Sequence, residues 1–255
     1  MMAMDFLIFQ LQAPLASWGD TAVGEYRPSI DYPGQSALVG LLGAALGLRR
    51  EEEAAHAALA ASYGFAVGIQ SGGHLLRDYH TAQVPGQTAL KKRPHATRRD
   101  ELAVPKSDLH TILSTRDYRQ DAASLVAVQA FDGAPRTLAE LAEALQKPHF
   151  VLYLGRKSCP PAAPLHPLVL AADSALSAME AYRAQIEAER RKHLDRKGRP
   201  PLEELAPIRK LAWSEGVAAG ANIHLSTRRK DRLIRRRSWQ FGDRIEHIAL
   251  LAEES

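Results

Sequence analysis

The chain has 255 residues, of which 45% are hydrophobic and 24% charged, so it can bury a real core as one large domain or two small ones. This composition excludes intrinsic disorder. The longest apolar run, residues 37–48, is too short to span a bilayer, and the N-terminus lacks the pattern of a secretory signal. The single cysteine, Cys159, excludes an internal disulfide and a zinc site built on cysteines. We therefore expect a cytoplasmic protein with no membrane segment.

The formal net charge of +4 conceals a strong segregation of charge along the chain. Residues 91–99, 183–199 and 228–244 together hold 20 of the 33 basic residues and 5 of the 29 acidic ones, which leaves 13 basic and 24 acidic residues elsewhere. Concentrated cations on an acidic body favour a groove for a polyanion, because each neutralised phosphate releases bound counterions. The alternative is that these runs are solvated faces.

The first part of the chain predicts a strand, two helices and a second strand. Residues 4–11 form a largely apolar strand, and Ser36 is placed to cap a helix that runs through residue 47. A second helical stretch covers 51–62, and residues 65–70 alternate as a strand does. The first helix carries Gly40, Gly43 and Gly47 on one face. These glycines predict either close packing on a sheet or a smooth face for an RNA backbone or a partner subunit.

Regular patterning fails over residues 77–111, which contain three prolines, seven basic residues, five of them within 91–99, and few apolar ones. We therefore predict a long basic insertion. A strand then follows at 124–131, a helix at 137–146 and a strand at 150–154. The resulting order, βαββαβ, predicts an α+β, ferredoxin-like (RRM-like) domain.

The remaining sequence has a different character. After a proline-rich linker we predict a short strand near 168–171, a basic helix over about 174–193, a polar break at 198–201, and further strands. The last of these are placed near Ile223, Leu233 and 245–251. The predicted domains are residues 1–165, with the insertion at about 77–112, and a smaller C-terminal region at 166–255.

The sequence has none of the motifs that mark dinucleotide, P-loop, α/β-hydrolase or zinc-protease sites. Its ten histidines do not pair at the spacing of metal ligands. We therefore expect neither a metal nor a cofactor.

Residues 77–81 carry the densest group of reactive side chains. A metal-independent ribonuclease needs a base for the ribose 2′-OH, an acid for the leaving oxygen and a cation for the developing charge. His80, Tyr79 and either Lys91 or Lys92 are candidates for these roles. The alternative is that Tyr79 and His80 close the base of the insertion by hydrogen bonds and stacking.

Two other features suit RNA. The segment 155–158 offers backbone N–H groups, two cations and a hydroxyl for a phosphate, although a plain polar turn fits it as well. Trp18, Tyr26 and Trp239 are candidates for stacking on unpaired bases, or else belong to the core.

Taken together, six blocks of the sequence resemble, in order and spacing, the Cas-five-type subunits of type I-E CRISPR Cascade, which form the CasD family. The resemblance covers about the first 165 residues. The blocks are residues 11–19, 26–28, 36–47, 78–81, 116–122 and 147–160.

This resemblance implies a non-catalytic RNA-binding subunit that caps the 5′ handle of the CRISPR RNA in antiviral defence. It implies contacts with a CasC-type backbone subunit and a CasA-type large subunit, and it makes the basic insertion a β-hairpin thumb. Carried over block by block, the RNA-binding candidates are Trp18, Arg27, Ser36, Gly40, Tyr79, His80, Lys91, Lys92, Arg93, Arg98, Arg99, Arg156 and Lys157.

Three questions stay open at this point. Some related type I systems use the Cas-five-type protein to cut precursor RNA, so a metal-independent endoribonuclease is the alternative function. A free-standing RNA chaperone or a translation-linked RRM protein is a second alternative. The segment 174–205 has no counterpart in the family and 228–239 matches it only loosely; they either contact target DNA or are a lineage-specific addition.

Overall fold

A computed structural model describes residues 3–91, 93, 96–195, 205–236 and 238–251. The strands are β1 (Met4–Ala16), β2 (Trp18–Gly19), β3 (Tyr26–Arg27), β4 (Ser29–Ile30), β5 (Tyr63–Ser71), β6 (His74–Pro85), β7 (Leu109–Ala130), β8 (Leu168–Ala172), β9 (Lys210–Ser214), β10 (Leu225–Arg235) and β11 (Gln240–Leu250). The helices are α1 (Gln35–Ala45), α2 (Glu53–Ser62), α3 (Gln87–Leu90), α4 (Arg98–Leu102), α5 (Leu138–Gln146) and α6 (Ala175–Asp195), with a 3₁₀ turn at Lys106–Asp108.

Nine of the described strands form one sheet. Its main path runs β10-β11-β9-β5-β7-β1-β8, while β3 and β6 also pair with β7. Every neighbouring pair is antiparallel except β3 with β7. The strands of the C-terminal region therefore extend the sheet that the N-terminal region begins at both edges, through the pairing of β9 with β5 and of β8 with β1.

Helices α1 and α5 share one face of the sheet. Leu42 and Leu141 belong to the same buried cluster as Leu7, Phe65 and Val128, which lie side by side on β1, β5 and β7. Helix α5 begins as its sequence predicts, because Thr137 and Glu140 complete a capping box at its first turn.

Helix α6 covers the opposite face of the sheet. Tyr182 and Met179 on α6 are fully buried with Phe6, Ile8 and Leu125 in a second cluster. Both faces of β1 are therefore apolar, which explains why Phe6 through Phe9 are all fully buried. In an RRM, aromatic side chains on the open sheet face stack on RNA bases. Here α6 occupies that face, so RNA cannot bind there in the same way.

The predicted strand at 150–154 is wrong. This segment is irregular chain, and the edge position beside β1 is taken by β8. The backbone N–H of Phe150 bonds the carbonyl of Ala44 at the end of α1, and that of Leu154 bonds Cys159. Leu152 and Leu154 are buried in the core without strand partners. Their apolar side chains produced a strand-like pattern in the sequence.

The start of α1 also differs from the sequence prediction. Ser36 does not cap the helix: Gly34 is the cap residue, and the N–H of Gln35 donates to the Asp231 carboxylate at 2.8 Å. The acceptor thus comes from a hairpin about 200 residues away in sequence. Gly43 of α1 packs against α2 and not against the sheet: a Cβ at this position would lie 3.1 Å from the ring of His56.

The basic insertion is a β-hairpin. Strands β6 and β7 pair in unbroken register from His74 opposite Gln120 to Pro85 opposite Leu109. The hairpin therefore begins before residue 77 and returns beyond 112, and the strand predicted at 124–131 is the end of the much longer β7. Helices α3 and α4 and the 3₁₀ turn form its tip.

The C-terminal elements agree with the sequence prediction in part. The predicted strand near 168 is β8, and the predicted basic helix is α6. Strand β9 was not predicted, Ile223 lies just before β10, and the predicted break at 198–201 lies outside the described residues. Among the described helices, none is both long and apolar enough to cross a membrane.

Candidate nucleic-acid interface

A groove of about 650 Å³ lies between α1, the β10–β11 hairpin and the segment 150–155. It brings together three of the predicted RNA-binding residues, Trp18, Ser36 and Gly40. Trp18 is only 5% exposed and packs in the core, with its backbone N–H on the Ser29 hydroxyl at 3.0 Å. Its ring is therefore part of the groove wall and not an exposed stacking surface.

A buried ionic network holds the β10–β11 hairpin against α1. Arg244 contacts Asp231 through Nε at 2.6 Å and Glu246 through Nη2 at 2.6 Å. The Tyr32 hydroxyl donates to the other Glu246 oxygen at 2.6 Å, and Asp231 also accepts the N–H of Gln35. Burial, together with the Glu246 carboxylate, raises the pKa of Tyr32, so the phenol stays a hydrogen-bond donor. The network fixes one wall of the groove.

Two guanidinium groups and an indole lie at the groove. The Cζ atom of Arg236 lies 4.3 Å from the centroid of the Trp239 ring, and that of Arg50 lies 5.0 Å from it. Trp239 is 51% exposed and has a φ of +53°, a backbone conformation that is rare for a large side chain. A Cβ on Gly40 would lie 3.8 Å from Nη2 of Arg236. The groove therefore presents cations and an exposed aromatic face side by side.

Arg236 is the more constrained of the two cations. Its Nε is buried and has no hydrogen-bond partner among the described residues, and burial lowers its pKa. Buried donors of this kind are normally satisfied. The guanidinium of Arg236 lines the groove beside Gly40, where it would pair with a phosphate, while the Trp239 ring would stack on a base.

A second charged cluster lies at the base of the β6–β7 hairpin. The Asp117 carboxylate is almost fully buried and accepts hydrogen bonds from Arg77 at 2.8 and 3.2 Å and from the Tyr26 hydroxyl. The hydrogen bonds from Arg77 hold the pKa of Asp117 below its usual value. The bond to Asp117 raises the pKa of Tyr26. This cluster joins β3, β6 and β7.

Arg156 connects this cluster to the groove. Its guanidinium donates to the carbonyls of Asp117 and Arg27, both at 3.2 Å, and lies 4.5 Å from the Tyr118 ring centroid. Gly155, which lines the groove, has a φ of +87°, and a Cβ there would lie 1.7 Å from the Ser17 carbonyl oxygen. Only glycine fits this close approach.

The predicted residues Arg27 and Lys157 both adjoin Arg156: the carbonyl of Arg27 accepts its hydrogen bond, and Lys157 follows it in the sequence. Arg27 is exposed, although its Nη1 donates to the carbonyls of Gly24 and Tyr26. Lys157 is exposed. The hairpin base thus places predicted cations beside the groove.

Tyr79 and His80 lie on the shaft of the hairpin. They are consecutive on β6, so their side chains point to opposite faces of the two-stranded ribbon. Tyr79 is 65% exposed, and the His80 Nδ1 lies 3.8 Å from an Asp78 carboxylate oxygen. The structure therefore does not bring the predicted acid and base to one face.

The cations of the hairpin tip fall into two groups. Arg93 donates to the Ala103 carbonyl, and Arg98 donates to the Gln83 carbonyl and lies 2.6 Å from Glu101, so both organise the tip. Lys91 and Arg99 are exposed. Lys92 lies outside the described residues.

Sequence reasoning missed several residues of this interface. Arg50 and Arg236 were not singled out, because nothing in the sequence next to either residue indicates that the two guanidinium groups meet at one indole. Asp117 lay within a block of the family resemblance, but its role at the hairpin base appears only from its contacts with Arg77 and Tyr26. The described residues contain no cluster of three or more metal-ligating side chains.

Comparison with known proteins identifies the family. The model of the CRISPR-associated protein family (Cas_Cas5) matches residues 6–244. The CasD subunit of the Cascade CRISPR system of Escherichia coli (strain K12) is 33% identical over 170 residues, which cover 63% of this chain and 69% of that protein. The chain therefore belongs to the Cas5 family of CRISPR-associated proteins. Within this family, the resemblance to the CasD type of type I-E systems that the six sequence blocks show is confirmed.

Two solved structures share the fold. A chain of a CRISPR RNA-guided surveillance complex superposes with a TM-score of 0.58 at 23% identity, covering 96% of this chain and 89% of that one. A crystal structure of a Cas protein superposes with a TM-score of 0.59 at 24% identity, covering 96% and 94%. These likenesses confirm the mixed α+β fold with its large antiparallel sheet.

Proposed function

We propose that this protein is a non-catalytic subunit of a type I-E Cascade complex and that it binds the 5′ handle of the CRISPR RNA. One observation carries the proposal: groove, hairpin base and hairpin tip form a connected series of cationic and aromatic side chains. Gly155 and Arg156 join the first two, and strands β6 and β7 join the second to the third.

The fold supports this proposal. The central strands lie in the order β8-β1-β7-β5, all antiparallel, with α1 and α5 on one face. In chain order this is 4-1-3-2, and we propose that these strands are a βαββαβ unit of the ferredoxin-like type. The predicted division into residues 1–165 and 166–255 stays a prediction. The strands of both regions lie in one continuous sheet, which gives no boundary between two domains.

An RNA path follows from the geometry of the site. The groove offers guanidiniums for phosphates and the Trp239 ring for a base, which suits a single strand with splayed bases. From the hairpin base, β6 extends over residues 77–85, about 30 Å at 3.4 Å per residue. An arm of this length, with Lys91 and Arg99 exposed at its tip, would contact the guide backbone well beyond the groove.

Contacts with other Cascade subunits are part of the proposal. The segment beside the groove exposes Phe150, Val151 and Tyr153, of which Val151 is 86% exposed. Contiguous exposed apolar side chains mark interaction surfaces in soluble proteins. We propose this segment as a contact for a CasC-type or CasA-type subunit, and a cytoplasmic location for the complex.

The alternative function, metal-independent cleavage of precursor RNA, gains no support from the geometry. It needs an acid and a base on the same phosphodiester. Tyr79 and His80 point to opposite faces of the hairpin.

Substitutions in the groove test the proposal. We expect Trp239→Ala to weaken binding of a labelled handle RNA by the free energy of one base–aromatic stacking contact, about 1–3 kcal/mol or roughly 5- to 150-fold in affinity. Arg236→Gln is expected to weaken it as well, whereas Lys147→Gln, which removes an exposed cation away from the groove, should not. Equal affinities for the wild type and both groove variants, measured by fluorescence anisotropy, would refute the groove as the handle site.

A further inference from the structure

Strand β8 lies at the end of the sheet opposite β10, and its outer edge pairs with no other described strand. It consists of five apolar residues, Leu168–Ala172, with no charged side chain and no proline. Strand β10, by contrast, carries six charged residues among its eleven. Charges normally protect an edge strand, because its unpaired N–H and C=O groups can otherwise pair with another chain. The edge of β8 lacks this protection.

The unpaired backbone groups of this edge belong to Val169 and Ala171. The N–H of Gln10 donates to the carbonyl of Leu165 at 2.9 Å, so the even-numbered residues of β1 direct their backbone groups away from β7 and toward the β8 side. The β8 residues opposite them therefore bond to β1. Val169 and Ala171 lie opposite odd-numbered residues, so their N–H and C=O groups point out of the sheet edge. No other described residue bonds these groups, and Val169 is 38% exposed.

Two open cavities adjoin the edge, and both are lined mostly by apolar residues. A cavity of about 770 Å³ lies beside Leu168, between Leu145 of α5 and Ile186 of α6. A smaller cavity of about 380 Å³ lies beside Val169 and is lined by Ala139 at the start of α5. A peptide strand that pairs with a sheet edge gains affinity from main-chain hydrogen bonds and specificity from pockets for its side chains. The β8 edge offers both.

The charges around the edge are negative. Glu189 lines the larger cavity, Asp5 lines the smaller one, and Asp173 directly follows β8; all three carboxylates are exposed. None of the described residues that line the two cavities is a lysine or an arginine. Like charges disfavour a nucleic-acid backbone at this edge, and they disfavour a second copy of the edge as well. A basic polypeptide is the complementary partner.

We propose that the β8 edge pairs with an extended, basic segment of a partner protein, which adds one strand to the sheet. The added strand would bond the outward N–H and C=O groups of Val169 and Ala171. Its apolar side chains would enter the cavities, and its cations would lie near Glu189 and Asp5. Val151, part of the subunit contact proposed above, also lines the larger cavity, so the two surfaces are continuous. The inference goes beyond RNA binding, and neither depends on the other.

The test uses a labelled synthetic peptide of about nine residues, in which threonine and valine alternate between a lysine at each end. Ala171→Pro removes an outward N–H without removing a bond to β1, a substitution that edge strands tolerate. Val169→Lys places a charge on the same edge. Its matched control is Ile112→Lys on the distant β6–β7 hairpin, where the side chain is 47% exposed. Peptide binding to the full chain is measured by fluorescence anisotropy at about 50 mM salt.

We expect saturable peptide binding to the wild type and to Ile112→Lys. Ala171→Pro and Val169→Lys should each weaken it by about fivefold or more, the effect of one lost hydrogen bond or one opposing charge. A peptide with glutamate in place of both lysines should bind about fivefold more weakly to the wild type. Both edge variants should keep the wild-type circular dichroism spectrum and handle RNA affinity. If Ala171→Pro loses that spectrum, Val169→Lys decides the test.

Four kinds of result would overturn the proposal. Absence of peptide binding to the wild type, or equal binding to the edge variants and the control, would show that β8 is not a strand-pairing site. Equal binding of the lysine and glutamate peptides would refute the basic character of the partner. A wild-type dimer that Val169→Lys dissociates would show that a second copy occupies the edge. Loss of handle RNA affinity in both edge variants would assign the edge to RNA. Failure of the wild type to bind handle RNA would count against the proposed function alone.

Discussion

Arg244 is the residue whose loss tests the groove architecture most severely. Its guanidinium is 9% exposed and makes three short contacts, to Asp231 at 2.6 and 3.0 Å and to Glu246 at 2.6 Å. Removing one partner of a buried ionic network typically costs about 3–5 kcal/mol, because it leaves charges buried without compensation. Both carboxylates keep another donor, Gln35 N–H or the Tyr32 hydroxyl, so Arg244→Gln should lie at the lower end, at about 3 kcal/mol.

The measurement is urea unfolding followed by circular dichroism, supported by thermal unfolding. For a protein of this size, 3 kcal/mol corresponds to a fall in Tm of about 6–12 °C. Arg228→Gln is the matched control, since it removes an exposed arginine from the same hairpin and should change stability by less than about 0.5 kcal/mol. If Arg244→Gln cost no more than Arg228→Gln, the network would not be what holds the hairpin on α1, and the explanation of the groove would fail.

Three further predictions concern the hairpin and its base. Lys91→Gln/Arg99→Gln should make the salt dependence of RNA binding shallower by about 1.4 on a log–log scale, and an unchanged slope would remove the hairpin tip from the RNA path. Gly155→Ala should lower the free energy of unfolding, measured in urea, by more than Gly133→Ala does. Both glycines have positive φ, but only at Gly155 would the added methyl group meet a carbonyl oxygen. Equal losses of unfolding free energy would contradict this prediction. The pKa of Asp117 is lowered in the folded protein, so its contribution to stability is full above the unfolded value of about 3.9 and is lost as the pH falls below it. The difference in urea midpoint between wild type and Asp117→Asn should therefore shrink from pH 5 to pH 2, and a constant difference would show that the carboxylate charge contributes nothing.

The elements that sequence patterns predicted well are those with a strong local signal. Helix α5 has an apolar face and a capping box within four residues, Thr137 and Glu140, and its bounds agree with the prediction. The basic insertion has no regular spacing of apolar residues, which predicted that it would lie outside the core. The structure confirms that it extends from the sheet as a hairpin. Helix α6 was placed within about two residues.

The parts that could not be predicted depend on contacts between distant residues. The apolar pattern of 150–154 is that of a strand, but whether a segment joins a sheet depends on a free edge, and β8 takes that edge. Ser36 has the residue type and position of a helix cap, but the side-chain acceptor at the start of α1 is Asp231, almost 200 residues later. Trp18 and Trp239 have the same side chain, yet one is 5% and the other 51% exposed. Only the fold distinguishes a core ring from a stacking surface.

The central claim is that this chain binds the 5′ handle of the CRISPR RNA and does not cleave it. The most direct test incubates the purified chain with end-labelled repeat RNA in EDTA and divides the reaction between a native and a denaturing gel. We predict a retarded band on the native gel and uncut RNA on the denaturing gel, both unchanged by His80→Ala. A metal-independent cut at the 3′ side of the repeat that His80→Ala abolishes would contradict the claim and identify the protein as the endoribonuclease.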